Sequence, residues 1–327
     1  MQRKVLRWLK LAVGVGLLAF IVSRVDPREL ARLLQQGDGG KLALGLGLLY
    51  LANPILQALR LHVLVAPYTR SLALTFKIFF VSAFFNTMLP SNVGGDAVRL
   101  LYLRRLSDRS WGGPFVLLML HRVTGIGVLL LAAGSYGLLR WERIAALLRA
   151  ARVEAFMPVN SLLFTAVLAA ALPVGWFLLP ERQRARVAGL VTRFARECRQ
   201  GIAQVGARVT AELLLLTVAF HAVRMAAFYV LVQYAGQSIG LLDVLIVLAA
   251  CAVAGLIPIT VGGLGLMEGA ISVTLVLFGV SQGAALAAAA ANRLVIWLGA
   301  AVGGLVYLAS RDTQAAAAAA AATERQG

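Results

Sequence analysis

Apolar residues in this chain run in long blocks with little polar alternation. Blocks near 8–23, 42–66, 72–89, 114–139, 158–179, 211–234, 243–258, 265–280 and 285–309 are parted by short polar stretches. Most reach the roughly 20 residues with which an α-helix crosses a bilayer. The third, seventh and eighth blocks are short or interrupted, and the interruption has a form that recurs. Pro90-Ser-Asn-Val-Gly-Gly95 returns as Pro258-Ile-Thr-Val-Gly-Gly263, an offset of 168 residues. Proline lacks an amide donor and glycine tolerates unusual backbone angles, so each copy breaks a helix. Pro90, Asn92, Gly94 and Gly95 in one half, and Pro258, Gly262, Gly263 and Gly265 in the other, are the candidate hinge positions. Paired broken segments at corresponding points of two halves point to a transporter's binding site.

Composition narrows the class. The 327 residues are 60% hydrophobic with a mean hydropathy of +0.84, which excludes an ordinary soluble domain. The formal net charge of +17 then reads as basic loops facing anionic lipid headgroups, and nucleic acid is not an expected partner. The basic N-terminus and the apolar run to Ile21 lack a small-residue cleavage site, so they are expected to stay as a first helix. Cys198 and Cys251 have no metal or redox spacing and read as free thiols. No nucleotide loop, serine elbow or HExxH is present, so no catalytic residue, cofactor or metal is expected.

Loop charge sets an expected topology. The linker 180–210 holds seven arginines, 99–113 holds four, and Arg3, Lys4, Arg7 and Lys10 open the chain. The positive-inside rule puts all three in the cytoplasm. The loops 24–41 and 140–157 are then outside, the two broken segments become re-entrant hairpins, and both termini are cytoplasmic. The expected fold is an all-α polytopic membrane protein of the inner (plasma) membrane, built as an inverted repeat. Its halves are 1–157 and 158–310, with a low-complexity tail over 311–327.

Charges inside the apolar blocks supply candidate chemistry. Ala58-Leu-Arg60 matches Ala222-Val-Arg224 at an offset of 164, and His121-Arg122 matches Asn292-Arg293 at 171. An arginine at a helix centre costs at least about 2.5–3.5 kcal/mol on insertion scales, so each needs a reason. Against Arg60, Arg122, Arg224 and Arg293 stand Asp96 and Glu268, leaving an excess of two positive charges. That excess suits an anionic ligand such as a lipid phosphate, which a guanidinium grips through two parallel hydrogen bonds. Plainer readings exist. Arg60 and Arg122 could snorkel to headgroups, Asp96 could cap the helix after it or pair with Arg99 three residues on, and Gly45, Gly47, Gly303 and Gly304 read as close helix packing. Glu268, among glycines and apolar residues, has the weakest structural excuse. His62, His121 and His221 are scattered and do not make a metal set.

At Phe85-Asn-Thr-Met-Leu-Pro-Ser-Asn-Val-Gly-Gly-Asp-Ala-Val-Arg99, His121-Arg122 and Ile257-Pro-Ile-Thr-Val-Gly-Gly-Leu-Gly-Leu-Met-Glu268 the chain resembles the lysylphosphatidylglycerol synthase membrane-domain family. This is the flippase-like region of the multiple peptide resistance factor. The resemblance implies lipid translocation between leaflets, with Asp96, Arg122 and Glu268 on the family's polar membrane positions. The full resistance factor carries a soluble aminoacyl-transferase domain after its membrane part. This chain ends in an alanine-rich tail, so it is not expected to aminoacylate lipid. Membrane lipids, and lipid-biosynthesis enzymes, are the expected partners. A transporter of a small anionic solute and a membrane component of a glycolipid, hopanoid or polyprenyl-lipid pathway are the alternatives.

Overall fold

A computed structural model describes residues 38–88, 94–107, 110–150, 181–203, 205–257 and 261–310. The expected first helix at 8–23, the block at 158–179, the alanine tail, Pro90, Asn92 and Pro258 lie outside these residues. The described residues are mostly helical, and no strand occurs among them.

Helix α1 (Gly39–Val65) is one of four helices long and apolar enough to cross a membrane, with α4 (Gly112–Leu139), α7 (Ala207–Tyr234) and α10 (Gln282–Ala309). Asp38 starts α1 by accepting the amides of Gly40 and Lys41. A π turn over Leu48–Ala52 interrupts it just before Pro54, whose ring nitrogen cannot donate to the preceding turn. Between the long helices lie two pairs of shorter ones. The first pair is α2 (Leu72–Met88) and α3 (Gly94–Leu106); the second is α8 (Asp243–Leu256) and α9 (Leu266–Leu277). Among the described residues, the order long helix, short pair, long helix therefore occurs twice.

Residues flanking each short pair touch one another. Tyr68, before α2, lies against Gly113 at the start of α4. Gln237, before α8, accepts the Ser281 amide after α9 at 3.3 Å. The far ends also meet: Gly262 faces Asn86 and Thr87 at the end of α2, where a Cβ would lie 3.8 Å from the Asn86 carbonyl oxygen. Helices early in the chain pack on helices late in it. The last helix of the second half, α10, lies along α2 of the first, while α4 lies along α8 and α1 lies along α7. Gly303 and Gly304 permit the α10–α2 approach, since a Cβ at Gly303 would overlap the Phe80 carbonyl oxygen. Gly45 does the same for α1 against Leu231 of α7. Gly47 has open space around it, so close packing does not explain that glycine.

The largest core cluster joins α7, α8, α9 and α10 around Phe228, Leu248, Ile271 and Leu275. A second, around Leu61, Ile78, Leu103 and Leu118, joins α1 to α4. Leu51, Leu131, Leu215 and Leu305 on the four long helices point outward and are about two-thirds or more exposed. An apolar exterior on that scale suits hydrocarbon better than water.

Two stretches expected as loops are helical. The basic linker contains α6 (Glu181–Ala203), and 140–157 contains α5 (Trp141–Ala150). Arginine has high helix propensity, and both segments carry apolar residues at helical spacing, so charge density alone is no sign of a loop. Helix α6 docks beside α4, where Glu197 takes the Trp111 and Gly112 amides and the Ser110 hydroxyl at 2.9–3.1 Å. The first turn of α4 has no side-chain cap of its own, so a residue about 85 positions away supplies it.

Candidate functional site: a basic cavity between the halves

A cavity of about 400 Å³ opens where the two halves meet. Its walls come from α1, α2, α3 and α4 of the first half and α7, α8, α9 and α10 of the second. Four of the six residues expected to bind substrate line it: Arg60, Asp96, Arg122 and Arg224. Arg99, His121, His221 and Asn292 line it with them.

Each half presents an arginine of its first long helix. Arg60, 2% exposed, donates from Nε to the Thr217 hydroxyl at 2.9 Å and from Nη2 to the His121 carbonyl at 3.1 Å. Its guanidinium stacks 5.2 Å from the Phe220 ring. Arg60 therefore does not snorkel; it crosses from α1 to α7. Arg224 donates to Asn292 Oδ1 at 3.5 Å and weakly to the Cys251 sulfur at 3.7 Å. Thr217, Phe220, His221 and Arg224 recur at helical spacing, so one face of α7 carries all four to the cavity side.

Each half also pairs the arginine of its last helix with a carboxylate near the glycine pair. Arg122 pairs with Asp96, and Arg293 with Glu268. The surroundings of these two pairs differ. Asp96 faces the cavity and is shared with Arg99 at 3.4 Å, as the three-residue spacing allowed. Arg99, counted by sequence among cytoplasmic loop charges, sits in α3 and donates to the Ser82 hydroxyl at 2.8 Å. Glu268 and Arg293 do not line the cavity. Glu268, 3% exposed, also accepts the Gly265 amide at 2.7 Å. Arg293 holds the Gly262 and Gly263 carbonyls at 3.0 Å each. This pair clamps the second glycine turn, a structural task that Glu268's apolar sequence neighbours concealed.

The two glycine motifs likewise share sequence without sharing conformation. Gly262, Gly263 and Gly265 have φ of 59°, 70° and 79°, a left-handed turn that disfavours side chains. Gly94 and Gly95 lie in the first turn of α3. There a Cβ on Gly95 would come 2.5 Å from the Ser82 carbonyl oxygen, so its role is close approach of α3 to α2. Tertiary packing decides which property of glycine each copy uses.

His62 lies apart, bonded to Thr75 at 3.0 Å. His121 and His221 reach the cavity wall, brought there by helix phase that the three scattered sequence positions do not disclose.

Comparison with known proteins gives one finding for the chain as a whole. A family model described as the lysylphosphatidylglycerol synthase TM region matches residues 7–304. No curated protein and no solved structure matches the chain significantly.

Proposed function

The chain belongs to the lysylphosphatidylglycerol synthase TM-region family of membrane proteins, and from that premise we propose that it moves a lipid with a charged headgroup between leaflets. The observation that carries this reading is the cavity, where four arginines and one carboxylate gather among apolar spanning helices. Burying a headgroup is the costly part of crossing a bilayer, and prearranged charge offsets it, while acyl chains can stay in lipid. The proposed location is the inner membrane, with the basic α6 and both termini on the cytoplasmic side.

An inverted repeat fits this reading. Its support is the reciprocal packing of α10 on α2 and α4 on α8, and the return of each broken pair to its starting point. The hairpins would enter from opposite faces and touch near Gly262 and Asn86. Rearrangement at that contact would open the cavity alternately. Transport would be passive or ion-coupled, and no catalytic residue takes part.

Reconstitution in liposomes tests the proposal. Of acyl-labelled anionic, zwitterionic and cationic lipids, at least one class should exchange leaflets faster with the protein than without it. Asp96→Asn, which removes the carboxylate charge that Arg99 and Arg122 share, should slow exchange about tenfold or more while the protein still melts cooperatively. No acceleration for any lipid by folded protein would refute the reading.

A further inference from the structure

The cavity leaves two kinds of chemistry without partners. Asp96 is the one carboxylate among its described lining residues, and both Arg99 and Arg122 pair with it. Glu268 lies outside the lining, engaged by Arg293 and the Gly265 amide. No carboxylate among the described residues of the cavity is therefore left for a cationic headgroup. The groups that Arg60 and Arg224 bond or stack on among the described residues are, by contrast, uncharged: Thr217, a backbone carbonyl and the Phe220 ring for one, Asn292 and Cys251 for the other.

Around these two guanidinium groups, His121 Nε2, His221 Nδ1 and Asn292 Nδ2 have no hydrogen-bond partner among the described residues. All three residues are more than nine-tenths buried in the cavity wall. Buried polar atoms are seldom left so, and a ligand is one thing that satisfies them. Their polarity says what would fit. His221 Nε2 lies 2.8 Å from the Gly125 carbonyl oxygen, which can only accept, so Nε2 carries the hydrogen. Nδ1 of the neutral ring is then a lone pair. For His121 the Gln57 backbone interacts with the ring, and since Nε2 is the unpartnered nitrogen the hydrogen is assigned to Nδ1. Asn292 gives its oxygen to Arg224, so its free Nδ2 is a donor. Two arginines and an amide thus offer hydrogens, and two imidazoles offer lone pairs.

We propose that Arg60, Arg224, Asn292, His121 and His221 form a subsite for a phosphodiester bearing an uncharged, hydroxylated head such as a glycerol or a sugar. The arginines and the amide take the phosphate oxygens, the imidazoles take hydroxyl protons, and a cationic head meets repulsion from four arginines. This inference rests on the cavity being the headgroup site. It names the class of headgroup that site prefers.

The test titrates the purified full chain in detergent with three short-chain lipids: dihexanoyl phosphatidylglycerol, phosphatidylmethanol (the same phosphodiester without a hydroxyl) and phosphatidylcholine. The glycerol lipid should bind about tenfold tighter than the methanol ester, the ratio expected of one or two hydrogen bonds. The choline lipid should bind weakest. His121→Leu and His221→Leu should each bring the glycerol-to-methanol ratio toward one, and Arg224→Gln should weaken both lipids alike. Choline binding as tight as glycerol, or a wild-type protein indifferent to the hydroxyls, overturns the inference without any variant. Glycerophosphoglycerol, the same head without acyl chains, separates a lipid from a soluble phosphodiester: the same preference there keeps the subsite and removes the lipid. Leaflet exchange run in parallel separates the two claims. The expected binding order without exchange refutes translocation and keeps the subsite, whereas exchange blind to headgroup does the reverse.

Discussion

Glu268 and Arg293 carry opposite charges at 3% and 4% exposure, and two backbone carbonyls and one amide complete their hydrogen bonding. Removing one partner strands the other, at a cost of about 3–5 kcal/mol for a buried pair. Arg293→Gln and Glu268→Gln should each lower the melting temperature in detergent far more than Asp96→Asn. The double variant should lose clearly less than the sum, which a double-mutant cycle would read. Additive losses would dissolve the clamp. At Gly262, φ of 59° makes alanine strained, so Gly262→Ala should cost about 1–2 kcal/mol. The Gly-Gly spacing and the recurring arginines are legible in sequence because each is a local departure from an apolar background. Which arginine faces a ligand and which braces a turn is not, because that depends on the carboxylate and carbonyls folded against it.

At the scale of elements, α6 is held to α4 by a carboxylate instead of by its basic surface. The Gly112 amide above all, then the Trp111 amide, Ser110 and Arg193, hold the Glu197 carboxyl below the usual carboxylate range. Because its folded pKa is depressed, its contribution is present above the unfolded value and is lost as pH falls through the folded one. Glu197→Ala should therefore destabilise the protein by about 1 kcal/mol at neutral pH, as loss of a helix cap does. The difference from wild type should shrink under acid melting conditions; a gap constant with pH would rule out the ionised cap. The α10–α2 contact makes a sharper prediction. Gly303→Leu places a side chain where the Phe80 carbonyl lies, and should abolish a cooperative melt. Long helices were legible from block length, with starts displaced by a few residues, as at α7 (207 against 211) and α10 (282 against 285). Helices α5 and α6 were missed because their charge dominated the topological reading over their helical periodicity.

For the whole molecule, the proposed inverted repeat has a consequence for topology. If the second broken pair is re-entrant, cysteines at exposed Ser238 and Gln282 should react with an impermeant thiol reagent from the same side of sealed vesicles. Exposed Gly189 on α6 should react from the opposite side. Labelling of Ser238 and Gln282 from opposite sides would refute the hairpin, and labelling of all three from one side would refute the proposed orientation.

Block length and composition by themselves determined a helical membrane protein, and the two recurring motifs marked where its apolar helices are interrupted, because hydrocarbon tolerates little else than apolar helices with purposeful interruptions. Arg60, Asp96, Arg122 and Arg224 stood out for the same reason: charge is expensive there. Tertiary structure alone decided that these four share a cavity while Glu268 and Arg293 do not, that Arg99, His121, His221 and Asn292 join them, and that matching glycines adopt different backbones. Each of those outcomes turns on helix phase and on contacts between residues far apart in sequence, which local hydrophobic pattern does not encode.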